Sequence, residues 1–399
     1  MITPDLLADA CSRGGANVLT SVTHLEPAAG KHASVSPAKF VDRRGSVFAF
    51  ETRYIDGSPR RVVIIDSKQS MLNRGEAILS RDIEEGNETL AQMPRMRVRY
   101  PNGETFTDLD LPHRFADGHF RAATINGQPA TQDPAYRAVR DTTPGDITPL
   151  VNTAPASAVF GVWDATRAQG QVRLPSIVTG EIIGVLADQE HDGEEQQSRR
   201  GGARVDPLAM SVQLTPVQMR ALLDGQRSEL SPGNATKIED QIKKAKKGQR
   251  ISASPLGLGG IPPQLDSLGG VSCRDIIRSW VVSFAGLRQL RFGGNAEQDV
   301  AGRALLAALG LSAIARAEEE LYLRANCHLV EAGAPIVTLD RRFGESETLE
   351  PLTVGATDKL LAETLAVAQA AGVVDWHGQV LEFEGNPDIL GGAVDEAEE

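Results

Sequence analysis

Residues 61–81 read RVVIIDSKQSMLNRGEAILSR. Val62, Val63, Ile64 and Ile65 are apolar on both faces, the pattern of a central strand with cover on each side. Asp66 then caps a helix in which Met71, Leu72, Gly75, Ile78 and Leu79 fall on one side and Gln69, Ser70, Asn73, Arg74 and Arg81 on the other. The apolar side has to pack on the sheet that holds the strand. This unit sets the architecture to be sought in the rest of the chain.

Working outward, residues 18–25 read as a first strand, followed by a Pro/Gly/Lys/Ser-rich loop over 26–38 with little to pack. Residues 47–55 and 61–65 flank Asp56-Gly57-Ser58-Pro59, a strong hairpin signal. Residues 84–145 are long and polar and read as an insertion. Strand-like or buried patterning returns at 157–163 and 177–186, and a second insertion occupies 188–268, with a short helix near 216–223. A capping-box-like Ser272 and Asp275 predict a helix with Ile276, Ile277, Trp280, Val281, Phe284 and Leu287 as its buried stripe. A second helix is expected over 302–317, an alternating strand over 321–330, a helix over 358–371, and an acidic tail over 375–399. The fold class is α+β: one domain, with helices on one face of a mostly antiparallel sheet and two insertions that account for the length.

The chain has 399 residues, 41% apolar and 24% charged, enough to bury a sizeable core. Its 41 basic and 53 acidic side chains give a net charge of -12, which at first argues against a nucleic-acid partner. Location changes that reading. Asp395, Glu396, Glu398 and Glu399 lie in the tail, and Asp188, Glu190, Asp192, Glu194 and Glu195 in one stretch; without these nine carboxylates the charge is -3. A basic groove on a nearly neutral body is therefore possible. Cys11, Cys273 and Cys327 form no CxxC pair, Asp5 and Asp9 stand where a signal peptide is basic then apolar, and the apolar run 304–315 is too short to span a bilayer. These features predict a cytoplasmic protein that engages no membrane.

Enzyme motifs are missing: no HExxH, GxSxG, P-loop or GxGxxG between strand and helix. Asp108 and Asp110 read as solvated rather than metal-binding, none of the seven histidines has metal-ligand spacing, and no cofactor is expected. Basic clusters are more informative. Lys243, Lys246 and Lys247 are expected to share a helix face until Gly248, with Lys244 and Arg250 alongside. Counting Lys237 against Glu239 and Asp240, this stretch carries +4. Residues 44–50 faintly echo an RNA-recognition consensus. With aromatics at 5%, contact with nucleic acid is expected to run mainly through the phosphate backbone.

Several segments together resemble one family. They are residues 66–76 (DSKQSMLNRGE), 160–164 (FGVWD), 173–184, 257–263 (GLGGIPP), 269–271, 283–290 (SFAGLRQL), 309–311 and 323–330 (LRANCHLV). In this order they are similar to the RAMP-superfamily backbone subunit of type I-G (formerly I-U) CRISPR surveillance complexes, over about residues 15–335. The resemblance implies a modified RRM, ferredoxin-like palm with finger- and thumb-like insertions and a non-catalytic subunit. Copies would polymerise along the CRISPR RNA as a helical filament, hold the spacer by its backbone and present it to target DNA, beside a cap or processing subunit and a large subunit.

Carried onto this chain, the resemblance singles out Ser67, Lys68, Ser70, Asn73 and Arg74 at the helix start, where short donors and positive charge suit phosphate. Lys31, His32, Lys39, Arg43 and Arg44 flank the loop after the first strand. Lys243, Lys244, Lys246, Lys247 and Arg250 form the candidate thumb surface. The alternative is a RAMP ribonuclease that cuts target RNA through an Asp in the loop after the first strand, the place of Asp42.

Overall fold

In the computed structural model, which describes residues 2–42, 45–190, 207–208, 211–260 and 269–392, the first strand is β1 (Val18–Pro27). It turns Leu19, Ser21, Thr23 and Leu25 inward and Val18, Thr20, Val22 and His24 outward, the period-2 pattern of a sheet covered on one face. The expected hairpin follows as β2 (Phe50–Ile55) and β3 (Ser58–Asp66), joined through Asp56 and Gly57, both at positive φ. Two residues at positive φ match the right-handed twist of a tight hairpin.

The remaining strands of this sheet are β4 (Val178–Leu186), β5 (Cys273–Ser283), β6 (Leu329–Glu331), β7 (Ile336–Arg342) and β8 (Glu345–Leu349). Neighbours run β8-β7-β1-β5-β4-β3-β2, all antiparallel, with β6 added beside β1. Gly180 of β4 lies opposite Trp280 of β5, and a Cβ at this glycine would overlap the indole.

Helices cover one face. They are α1 (Pro4–Cys11), α2 (Lys68–Glu84), α5 (Ala296–Glu319) and α6 (Val354–Ala370), the numbering leaving α3 (Pro216–Gln226) and α4 (Pro232–Lys244) to a separate unit described below. The cap of α2 is Ser67, one residue later than expected, while Asp66 stays at the end of β3 and is buried. Met71, Leu72, Gly75 and Leu79 are buried as the helical period requires. Among the described residues α5 alone is long and apolar enough to cross a bilayer, but 94% of its apolar window is buried inside the fold. It is a core helix, packed on α1, α2 and α6.

Four expectations change. The helix expected from Ser272 is the strand β5, which buries Ile276, Arg278, Trp280 and Val282 on one face. The segment 157–163, expected to be strand-like or buried, is buried but forms a short helix, Ala156–Phe160, before the strand Val162–Trp163. The strand expected over 321–330 is mostly a turn, with Arg324 bridged to Cys327 and Asn326 at φ 62, so only Leu329–Glu331 pairs.

The expected tail contains a strand. Val380–Glu384 pairs in parallel with Arg95–Arg99, placing Glu382 beside Arg97 and Glu384 beside Arg99. Phe383 packs on Phe120 and Tyr136, with ring centroids 4.9 and 5.2 Å away. The polar region 84–145 therefore joins the end of the chain around its own five-stranded sheet.

The chain divides into two compact units, one of Met1–Gln189 with Ser272–Ala393, the other from Glu190–Val271. The second has its own core of Met219, Leu223, Ala235, Ile238, Ile251 and Ala253, built where α3 and α4 turn their apolar stripes together.

Candidate nucleic-acid interface

The start of α2 presents mixed polar groups. Ser67 uses its hydroxyl to accept the Ser70 N–H at 3.3 Å, which stabilises the first turn. Lys68, Gln69 and Asn73 are exposed, and Ser70 is half-buried. Arg74 is committed elsewhere. Its Nε donates to the buried Asp66 carboxylate at 2.7 Å, and Nη2 reaches the Leu323 carbonyl at 3.2 Å, tying α2 to the turn before β6. A phosphate would have to displace these bonds, so Lys68 is the cation of this cluster that remains at the surface.

In the loop after β1, Lys31 and His32 are exposed, and Lys31 lies 3.9 Å from Glu26. Lys39 stands over the buried Phe48 ring, 5.4 Å from its centroid. The loop packs more than its composition suggested, since Val35 and Ser36 are buried. Arg43 and Arg44 lie outside the described residues. Asp42 ends a short strand, Phe40–Asp42, and its side chain is likewise outside them.

Lys243, Lys244, Lys246, Lys247 and Arg250 belong to the second unit. Helix α4 ends at Lys244 and Ala245 is extended, so Lys243, Lys246 and Lys247 do not share one helix face. The cluster is instead a helix C-terminus followed by a turn that Gly248 makes at φ 83. All four lysines are exposed. Lysines at a helix C-terminus also interact favourably with its dipole.

Sequence reasoning missed two features. The outward face of the sheet carries Thr20 and Val22 of β1, Thr179 of β4, Ser279 and Val281 of β5 and Thr338 of β7, in register across the strands. These are short and uncharged, while Glu181 of β4, opposite Ser279 on the same face, is paired with Arg53 of β2 at 3.1 Å. The aromatics of 44–50 are not among them, since Phe48 is buried off the strand and Phe50 sits on the edge strand β2. The second feature is Trp163, half-exposed beside Arg173 on the small hairpin of Val162–Trp163 and Arg173–Leu174. A tryptophan in FGVWD carries no sequence mark of exposure, because a two-residue strand has no periodicity to read.

Residues 19–189 match the family model for CRISPR-associated protein GSU0053. This part of the chain is similar to a CRISPR-associated protein. No curated protein matches the chain. The matched stretch contains β1 from Leu19, β2 to β4, all of α2 and the Trp163 hairpin, so the Ser67–Arg74 cluster lies inside it and the lysine cluster outside it.

Cys11, Cys273 and Cys327 are buried, and burial pushes the first two thiols up to about 12 and the third to about 11, far from the thiolate form. Asp108, read as solvated, is buried instead and accepts the Met96 N–H at 2.9 Å, while Asp110 accepts the Thr107 N–H at 2.7 Å. Asp110 also accepts from the Thr107 hydroxyl at 2.7 Å and the Ser80 hydroxyl at 3.4 Å. His24 bonds Asp275 at 2.9 Å on an exposed edge. Among the described residues no three His, Cys, Asp or Glu groups come together to hold a metal.

Proposed function

We propose that the chain is a non-catalytic RNA-binding backbone subunit of a type I-G CRISPR surveillance complex, acting in the cytoplasm. In this reading its sheet, helices and insertions are a RAMP palm with finger- and thumb-like additions. Copies assemble along the CRISPR RNA beside cap and large subunits, and the spacer is presented for pairing with target DNA. Sequence is read by base pairing, so the protein needs backbone contact and no base-specific side chains. The observation that carries the reading is the match of residues 19–189 to a CRISPR-associated family. The exposed lysines of the second unit and Lys68 at the start of α2 supply the positive charge that phosphate contact requires.

Replacing Lys243, Lys244, Lys246 and Lys247 with alanine tests the charge argument. Each phosphate contact on single strands contributes roughly 0.7 to the log–log salt slope, so losing four lowers the slope by about 3 and weakens binding most at low salt. Titrating single-stranded RNA at several salt concentrations reads this directly. An unchanged slope would make the cluster a solvated surface. The exposure of all four side chains keeps the variant's core intact.

A further inference from the structure

Of the three tryptophans, Trp280 and Trp376 are packed at 2% exposure, but Trp163 is 52% exposed. Two neighbouring side chains engage it. Its Nε1 donates to Gln171 Oε1 at 3.3 Å, and the Arg173 guanidinium stands 4.9 Å from the ring centroid. Arg173 has no ion-pair partner among the described residues, so its charge is directed to the ring and to solvent.

The hairpin beneath is braced from both sides. Asp164 is buried and accepts from Arg140 at 2.8 Å. Gly161, at φ 84, passes so near Ser176 that a Cβ would lie 2.7 Å from its nitrogen, and its carbonyl accepts from Arg114 at 2.8 Å. Trp163 and Arg173 line a cleft of about 750 Å³, whose wall includes Gln69 from the first turn of α2. That volume is in the range of small-ligand sites.

We infer that Trp163 and Arg173 form a stacking platform for one unpaired nucleobase of the bound RNA. The inference rests on the RNA-binding reading above and adds a site to it. An indole with half its surface open offers aromatic surface to any base, and stacking of this kind tolerates every sequence. The adjacent guanidinium adds cation–π attraction and charge for the same nucleotide's phosphate. The Gln69 amide offers a donor and an acceptor at the cleft edge, so it does not select one base. A subunit that must hold any spacer requires this tolerance. An interface built for a folded protein would instead need a wider apolar surface around the indole than one arginine-capped ring provides.

Burial of the other two tryptophans makes the site readable by fluorescence. Titrating the full chain with single-stranded oligouridylate, with binding followed in parallel by anisotropy of a labelled RNA, is expected to quench tryptophan emission. RNA duplex of the same length should leave it unquenched. Trp163→Phe should abolish the quenching while holding affinity within a few-fold, and Trp163→Ala should weaken binding roughly 5- to 150-fold. Binding without quenching, together with unchanged affinity in Trp163→Ala, would overturn the platform and leave the RNA-binding reading standing. Absence of binding by anisotropy would overturn both.

Discussion

Arg278→Met is expected to lower the stability of the first unit by about 3–5 kcal/mol, the usual cost of leaving one member of a buried ion pair alone. Arg278 lies on the central strand β5 with its side chain fully buried. It faces Glu318 at 3.5 Å, Glu331 at 3.0 Å and the Thr23 hydroxyl at 3.3 Å. Burial raises the Glu318 carboxyl above its ordinary range and Arg278 opposes that shift. Without the arginine, Glu318 retains only the Ser21 hydroxyl at 3.1 Å among its described partners. The pairing is already incomplete, since Arg278 Nη1 and Glu318 Oε2 have no hydrogen-bond partner among the described residues. An apolar replacement of both groups is therefore expected to recover much of the loss. Thermal or urea unfolding of Arg278→Met and of Arg278→Met/Glu318→Met checks this; equal losses in the two variants would show that the charge pair is not the cause.

Asp108→Asn is expected to stabilise the protein at neutral and alkaline pH. Burial pushes the Asp108 carboxyl from 3.8 up to about 7, because no nearby cation offsets its removal from water fully. The folded state holds this proton more tightly than the unfolded chain does. Its contribution is thus complete below pH 3.8 and is lost as pH rises through about 7. A displacement of this size corresponds to about 4 kcal/mol once the group is ionised in both states. Asparagine keeps an oxygen for the Met96 N–H and never ionises. The two unfolding midpoints should coincide near pH 4 and separate by pH 8, with the variant higher. Parallel profiles across that range would mean that Asp108 is already ionised in the fold.

The strand-to-helix unit was readable because two periods are unmistakable there: four apolar residues in Val62–Ile65, then a 3.6-residue stripe in α2. Strand β5 was not, for a definite reason. Ile276, Trp280 and Phe284 recur every four residues, a spacing that fits one helical turn and also two strand repeats. The residue that would have decided between them, Arg278, is charged yet buried, so it broke the apolar alternation that a strand should show. The parallel pairing of Val380–Glu384 with Arg95–Arg99 joins segments nearly 300 residues apart by alternating opposite charges, and no local window contains both.

Site residues divide in the same way. Lys68, Asn73 and the four lysines are exposed as their polarity suggested. Arg74 is a phosphate candidate by the resemblance and its place near the start of α2, but its commitment to Asp66 and the Leu323 carbonyl depends on a tertiary contact that no spacing reveals. The charge of -12 does not oppose the reading, since the lysine cluster concentrates positive charge locally while much of the excess carboxylate lies in two segments.

The decisive measurement is the nucleic acid that the protein carries when it is purified from cells expressing it together with a CRISPR array. A backbone subunit should retain RNA of one uniform length that contains the spacer sequence. Recovery of protein free of RNA, or bound to cellular RNA of mixed length and sequence, would contradict the assignment.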